Sequence, residues 1–370
     1  MSRLDELIAE LCPNGVEFFR LKDCTEMKRG TSATKKTLVE GDIPVISGGK
    51  EPAFYCDSFN RDGETITIAG SGAGAGYVQY WNKPIFVNDA FSIKGSKKLN
   101  TRYVYHYLLS IQGEIYATKK GSGIPHVHIS SIENFKIPIP PLPVQSEIVG
   151  ILDNFTELSA ALTAELQKRR EQYRHYSTVL FDNAKKSGVH SIEEVCHIEK
   201  GKTPIQKATP GGYPMVVTTT ERKSCDTYQF DAKAVCVPLV SSRGHGVASL
   251  NHVYYQEGKF ALGNILCAII PKNEELVNPK YLYYYFEQTK DYTLVPLMKG
   301  GANVALHMND VKKVNVPIPS LEEQKRIVDI LEYFETLCND VYEGLPAEIE
   351  ARQKQYEYYC DKLLTFQEIS

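Results

Sequence analysis

The chain repeats itself, and that limits its folds more than any other property. Ile137-Pro-Ile-Pro-Pro-Leu-Pro-Val-Gln-Ser-Glu-Ile-Val-Gly-Ile-Leu152 returns as Val316-Pro-Ile-Pro-Ser-Leu-Glu-Glu-Gln-Lys-Arg-Ile-Val-Asp-Ile-Leu331, 179 residues later and without a gap. The match runs back through His128 and His307 to Gly121 and Gly300. Tyr103-Val-Tyr-His-Tyr-Leu108 and Tyr281-Leu-Tyr-Tyr-Tyr-Phe286 nearly follow it, at an offset of 178. A period this long marks a duplicated domain, not the unit of a solenoid.

Each proline-rich strand end leads into a helix. Prolines at 138, 140, 141 and 143, and at 317 and 319, forbid helix before it, since proline lacks the backbone donor and restrains its neighbour. Ile148, Ile151, Phe155, Leu158 and Leu162 then follow steps of 3, 4, 3 and 4, as do Ile327, Ile330, Phe334, Leu337 and Val341. That is the seam of helices packed along one another. Further on, Gln172-Tyr173 and Gln355-Tyr356 stand 183 apart, so the second copy carries four extra residues near Gly344-Leu345-Pro346. Four is the length of a coiled-coil stutter, and a kink or break is expected near Pro346.

The expected fold is α+β. Two β-rich domains, 1–143 and 187–319, alternate with two long helices, 144–186 and 320–370. Pairing the helices antiparallel buries both seams and relates the copies by a pseudo-twofold axis.

Thr65–Ala69, Pro84–Val87, Ala234–Val240 and Ile265–Ile270 read as strands, and Tyr103–Ser110 and Pro279–Thr289 as helices. Between strands lies Ala69-Gly-Ser-Gly-Ala-Gly-Ala-Gly-Tyr77, and in the second copy Ser241-Ser-Arg-Gly-His-Gly-Val247. The first contains G-x-G-x-x-A, but a strand-like run follows where a dinucleotide fold needs a helix. Such a loop serves either a tight hairpin or a close backbone approach to a phosphate. His126 and His128 alternate on an expected strand and should face opposite ways, which argues against a metal pair. No nucleophile-base set, zinc motif or nuclease run is present, so no catalytic residues and no metal ligands are expected.

Charge is uneven. The net charge of −3 conceals two mildly basic regions: 20–140 holds 16 Lys+Arg against 11 Asp+Glu, and 195–319 holds 14 against 10. Residues 320–370 hold 5 against 12. This acidic stretch suits a protein partner better than DNA. Nine cysteines without C-x-x-C, and a start lacking a signal-like apolar run, fit reduced thiols in the cytoplasm. No run is long and apolar enough for a bilayer, so no membrane association is expected.

Ile-Pro-Ile-Pro-Pro-Leu-x-x-Gln at 137–145, Val-Pro-Ile-Pro-Ser-Leu-Glu-Glu-Gln at 316–324, Gly344–Tyr356 and Glu10-Leu-Cys-Pro-Asn-Gly-Val-Glu17 together resemble the specificity subunits of type I restriction-modification systems. The resemblance implies two target-recognition domains, each reading half of a split double-stranded DNA site. It also implies helices that act as a ruler and dock two methyltransferase subunits, with endonuclease/translocase subunits completing the complex. S-adenosylmethionine, ATP and Mg²⁺ would belong to those partners and none to this chain, with N6-methyladenine as the usual product. By residue type, DNA contacts are expected from Lys35, Lys36, Ser71, Lys119 and Lys120, and from Arg222, Lys223, Arg243, His245 and Lys299. The recognition subunit of a type IIB-like system and a non-DNA structural adaptor are the competing readings.

Overall fold

The computed structural model describes residues 2–121, 123–339 and 344–369. It divides into two compact units, one of 1–163 with 348–370 and one of 164–347.

The first unit opens with α1 (Arg3–Leu11), β1 (Phe18–Arg20), α2 (Leu21–Cys24) and β2 (Thr25–Arg29). There follow β3 (Ile43–Ile46), β4 (Phe54–Cys56), β5 (Glu64–Ala69), β6 (Val78–Asn82), β7 (Phe86–Val87) and β8 (Ala90–Gly95). Three helices, α3 (Thr101–Ser110), α4 (Gln112–Ala117) and α5 (Ile129–Ile132), precede β9 (Lys136–Pro138) and the 43-residue α6 (Leu142–Ala184). An antiparallel sheet runs β2-β8-β5-β6, and a smaller one runs β4-β3-β7 with β3 and β7 parallel.

The second unit repeats the plan. Its elements are β10 (Val189–Ser191), α7 (Ile192–Val195), β11 (Cys196–Lys200), β12 (Tyr213–Val216), β13 (Lys223–Cys225), β14 (Phe230–Asp231) and β15 (Ala234–Pro238). They continue with β16 (Tyr254–Gln256), β17 (Lys259–Leu262), β18 (Leu266–Pro271), α8 (Pro279–Thr293), α9 (Met308–Lys312), β19 (Asn315–Pro317) and α10 (Leu321–Asn339). The sheet orders β11-β18-β15-β16 and β13-β12-β17-β14 match those of the first unit, with β14 added. Central strands such as β5 and β15 are apolar and β-branched because both faces are covered.

The repeated Pro-Gln motif has a structural use. Prolines stop the chain from entering α6 early, and Pro143 sits in its first turn, where a missing donor costs nothing. Gln145 is fully buried. Its amide donates to Pro140 O (2.7 Å) and Lys98 O (3.0 Å) and accepts from Asn100 N (2.8 Å). Asn100 in turn caps α3. In the second unit Gln324 donates to Pro319 O (2.8 Å) and Leu276 O (2.9 Å) and accepts from Asn278 N (2.8 Å), the cap of α8. Tyr103 and Tyr281 donate to Pro138 O and Pro317 O at the same place. Each motif thus rivets its long helix to its own domain.

The helices pair antiparallel within each unit. In the second, Arg170 reaches Cys338 O, while Tyr173 and Tyr176 lie against Phe334 at ring-centroid distances of 6.2 and 5.9 Å. In the first, α11 (Leu345–Leu364) takes that role: Phe155 stacks on Tyr359 at 5.0 Å, and Tyr356, Cys360 and Leu364 join the core. The seam is only partly the expected one. Ile148, Ile327 and Phe334 are buried, whereas Ile151, Phe155, Leu162, Ile330 and Leu337 are half-buried and Leu158 is 40% exposed. Leu152 and Leu331 are fully buried instead. Near their starts the helices face their own domains, so the buried stripe follows a broad helical face rather than a strict seam. Val341 lies outside the described residues. Helices α10 and α11 are separate, with Pro346 in the first turn of α11.

A polar cluster around the buried His106 marks the first unit. Asp153 accepts from Arg102 Nε (2.7 Å) and pairs with His106 Nε2 (2.7 Å), while His106 Nδ1 meets Tyr356 Oη (3.0 Å). The Arg102 guanidinium sits between Tyr80 and Tyr105, 4.2 and 4.8 Å from their centroids. Burial holds His106 below the usual imidazole range against the pull of Asp153. Burial also opposes ionisation of Asp153, but hydrogen bonds from His106 and Arg102 leave its carboxyl below the usual range.

Candidate nucleic-acid interface

In each unit two loops lock together beside the end of a central strand. In the first, Gly70 N donates to Asp89 O (3.0 Å), Val127 N to Gly70 O (3.0 Å) and Gly72 N to Pro125 O (3.0 Å). His126 exchanges two backbone bonds with Lys120 (2.8 and 3.0 Å). The second unit repeats every one. Leu239 N donates to Ile265 O (2.8 Å), Leu306 N to Leu239 O (2.9 Å) and Ser241 N to Val304 O (3.0 Å), and Ala305 exchanges bonds with Lys299 (2.9 and 2.8 Å).

Glycine is required at the turn of the second loop. Gly121 and Gly300 have φ of +108° and +139°. A Cβ there would lie 2.6 Å from Ile124 O and 2.2 Å from Asn303 O, a conformation and an approach open only to glycine.

The structure gathers part of the expected contact set at these loop pairs. Ser71 bridges His126 and hydrogen-bonds Asp89. Lys120 lies on the same ladder, and Lys119 rests over the Tyr116 ring at 4.1 Å. Lys35 and Lys36 form an exposed turn closed by Thr34 and Thr37. Ala33 N ties that turn to Asn88 Oδ1 (2.9 Å), one residue from Asp89.

In the second unit Arg243 and His245 stand exposed on the loop after β15. Among the described residues His245 is the one non-glycine with a left-handed backbone, φ 60°, and strain of this kind concentrates at functional loops. Lys299 sits on the loop ladder and pairs with Asp310 (3.2 Å). Two residues fall elsewhere. Lys223 is exposed on β13. Arg222 is pinned by Gln256 Oε1, Tyr255 O and Thr220 O beside the Tyr254 ring, where it lines a cleft with Tyr283 and Glu332.

The histidine expectation needs correction. His126 and His128 do not face opposite ways: their rings stack, with centroids 5.9 Å apart and planes 3° from parallel. They lie on an isolated bridge and at the cap of α5, not on a regular strand, so alternation does not apply. Both line a cavity of about 280 Å³ with Arg29, Asn88 and Asp89. Among the described residues no group of three His, Cys, Asp or Glu side chains is arranged for a metal. Sequence reasoning missed Arg29, Asn88 and Asp89, because only the folded register brings them to the loops.

In each unit, then, one hydrogen-bonded frame holds exposed polar loops. The type I restriction modification DNA specificity domain matches the chain twice, over residues 13–170 and 185–351. A Haemophilus influenzae protein assigned as a type I restriction enzyme specificity subunit is 33% identical over 356 residues, covering 89% of each chain. The EcoR124I/EcoR124II specificity subunit of Escherichia coli is 29% identical over 410 residues, covering 99% of this chain and 97% of that one. A crystal structure of a type I S subunit from M. genitalium shares the fold at a TM-score of 0.63 and 18% identity, covering 95% and 96%. The chain belongs to the family of type I restriction-modification specificity subunits. The structural adaptor reading is set aside with that assignment.

Proposed function

We propose that this subunit reads a two-part, asymmetric sequence in double-stranded DNA, one part through each loop pair. In this reading it docks two methyltransferase subunits and the endonuclease/translocase subunits, and acts in the cytoplasm. It carries no chemistry of its own. S-adenosylmethionine, ATP and Mg²⁺ are held by the partners, and the modified base is N6-methyladenine. The subunit boundaries follow the repeat, with recognition domains at 1–143 and 187–319 and helical segments at 144–186 and 320–370.

One observation supports this best: the same hydrogen-bonded frame presents two different sets of side chains, as two readers of two different half-sites require. Lys35, Lys36, Ser71, Lys119, Lys120, Arg243, His245 and Lys299 supply the contacts near the loops, the cations chiefly to phosphates. Lys223 and Arg222 contribute from the flank. Among the described residues no helix is long and apolar enough to cross a membrane.

The test is co-expression with the cognate methyltransferase and genome-wide mapping of modified bases. A split, asymmetric motif with a fixed gap is expected; a continuous motif, or none, overturns the proposal. If one partner both cuts and methylates, the system is type IIB-like. Arg243→Ala should weaken recognition of one half-site only, and an unchanged motif with unchanged affinity removes Arg243 from the interface.

A further inference from the structure

The two loop frames superimpose bond for bond, so their side chains can be compared position by position. Gly70, Ser71, Asp89 and His126 in the first unit correspond to Leu239, Val240, Ile265 and Ala305 in the second, because each pair occupies the same place in the same hydrogen bonds and bridges. Every polar or minimal residue of the first set is apolar and larger, or Ala, in the second. His128 is different, since its counterpart His307 holds the same position before the following short helix.

The second unit therefore shows that the frame forms without Ser71, Asp89 or His126. Their polarity is not needed for folding. They nevertheless meet at one place: the Ser71 hydroxyl bonds the Asp89 carboxylate, and Asp89 and His126 line the same cavity. Asp89 is exposed and His126 half-buried, so both are open to a ligand.

We infer that Asp89 and His126, with Ser71 orienting the carboxylate, form the base-reading pair of the first recognition domain and select a base that offers an exocyclic amino group. A carboxylate accepts from adenine N6 or cytosine N4, which thymine and guanine do not present in the major groove. The imidazole beside it can donate to adenine N7, or stack against the base. The apolar counterpart in the second unit, Val240, Ile265 and Ala305, suits contact with a thymine methyl group. This inference rests on the DNA-reading function proposed above.

The experiment uses the whole methyltransferase complex with Asp89→Ile or His126→Ala, each installing the residue the second unit carries at that place. Modified bases are mapped genome-wide, and methylation rates are measured on duplexes varied at each motif position. The expected result is relaxed selection at one position of one half-site, with discrimination falling about 5- to 150-fold and the other half-site unchanged. The position that relaxes, adenine or cytosine, identifies the base. A wild-type complex with a split motif that neither variant alters overturns this inference alone. A wild-type complex without a split motif overturns the DNA-reading proposal as well. If His126→Ala loses both half-sites through misfolding, Asp89→Ile, at an exposed position, decides the matter.

Discussion

The joint between domain and helix and the loop pairs, compared across the two units, behave in opposite ways. At the joint the copies agree atom for atom: Gln145 and Gln324 make the same three hydrogen bonds, and Asn100 and Asn278 cap the same helix. At the loops the backbone agrees and Lys120 matches Lys299, but Ser71, Asp89 and His126 have Val240, Ile265 and Ala305 as counterparts. A duplicated chain has kept identical what holds the helix and let diverge what faces outward. Under the proposed function, this is the difference that two readers of different half-sites need.

The largest expected effect breaks the joint. Gln145→Ala strands the buried Pro140 carbonyl and breaks the part-buried bonds to Lys98 O and Asn100 N, which costs about 2–3 kcal/mol, and Gln324→Ala should cost the same. Hydrogen exchange should show protection lost in the first unit for one variant and in the second for the other. Equal loss in both units for either variant would mean that the joints are not local rivets.

Acid should separate the units next. His106 is held below its ordinary value of 6.5, so the unfolded chain takes up a proton that the folded one refuses. Stability contributed there is complete above pH 6.5 and falls as the pH drops below it. Asp153 adds a second loss below its ordinary value of 3.8, because its carboxyl is stabilised in the ionised form. The second unit has Tyr284 where the first has His106. Exchange measured from pH 7.5 to 5.5 should therefore show the first unit loosening first, and His106→Gln should remove that difference.

The smallest effect compares how the long helices bond to α3 in the first unit and to α8 in the second. Tyr356→Phe deletes the bond to His106, and Tyr173→Phe the bond from Gln288 (2.8 Å). Each should lower stability by about 1 kcal/mol, read as a shift in denaturant midpoint. An effect of Tyr173→Phe more than twice that of Tyr356→Phe would show that the two attachments are not equivalent.

Much of this was legible in the sequence. The strands at 65–69 and 265–270, the helices after each proline run and the duplication itself follow from local pattern. The loop cluster was not legible, for a definite reason. Ser71 and Val240 stand 169 apart, Asp89 and Ile265 176, and His126 and Ala305 179. Loops of unequal length shift the register, so no single offset aligns the readers. The buried stripe of the helices was partly misplaced because α3 and α8, folded against them, decide which face is covered. Within the acidic C-terminal stretch, Glu323, Glu348 and Glu350 pair with Arg326, Arg352 and Lys354 along their own helices.

The first unit is made from both ends of the chain. Val16 bridges Glu368, and a Cβ on Gly15 would meet Gln367 O at 2.2 Å. During synthesis, 164–347 can close as one contiguous piece, while 1–163 waits for α11 to emerge. At about 5–20 residues per second, that wait lasts roughly 10–40 s. Through it, the surface destined for Tyr356, Cys360 and Leu364 stays open to chaperones, to a neighbouring nascent chain, or to the matching helix of another copy.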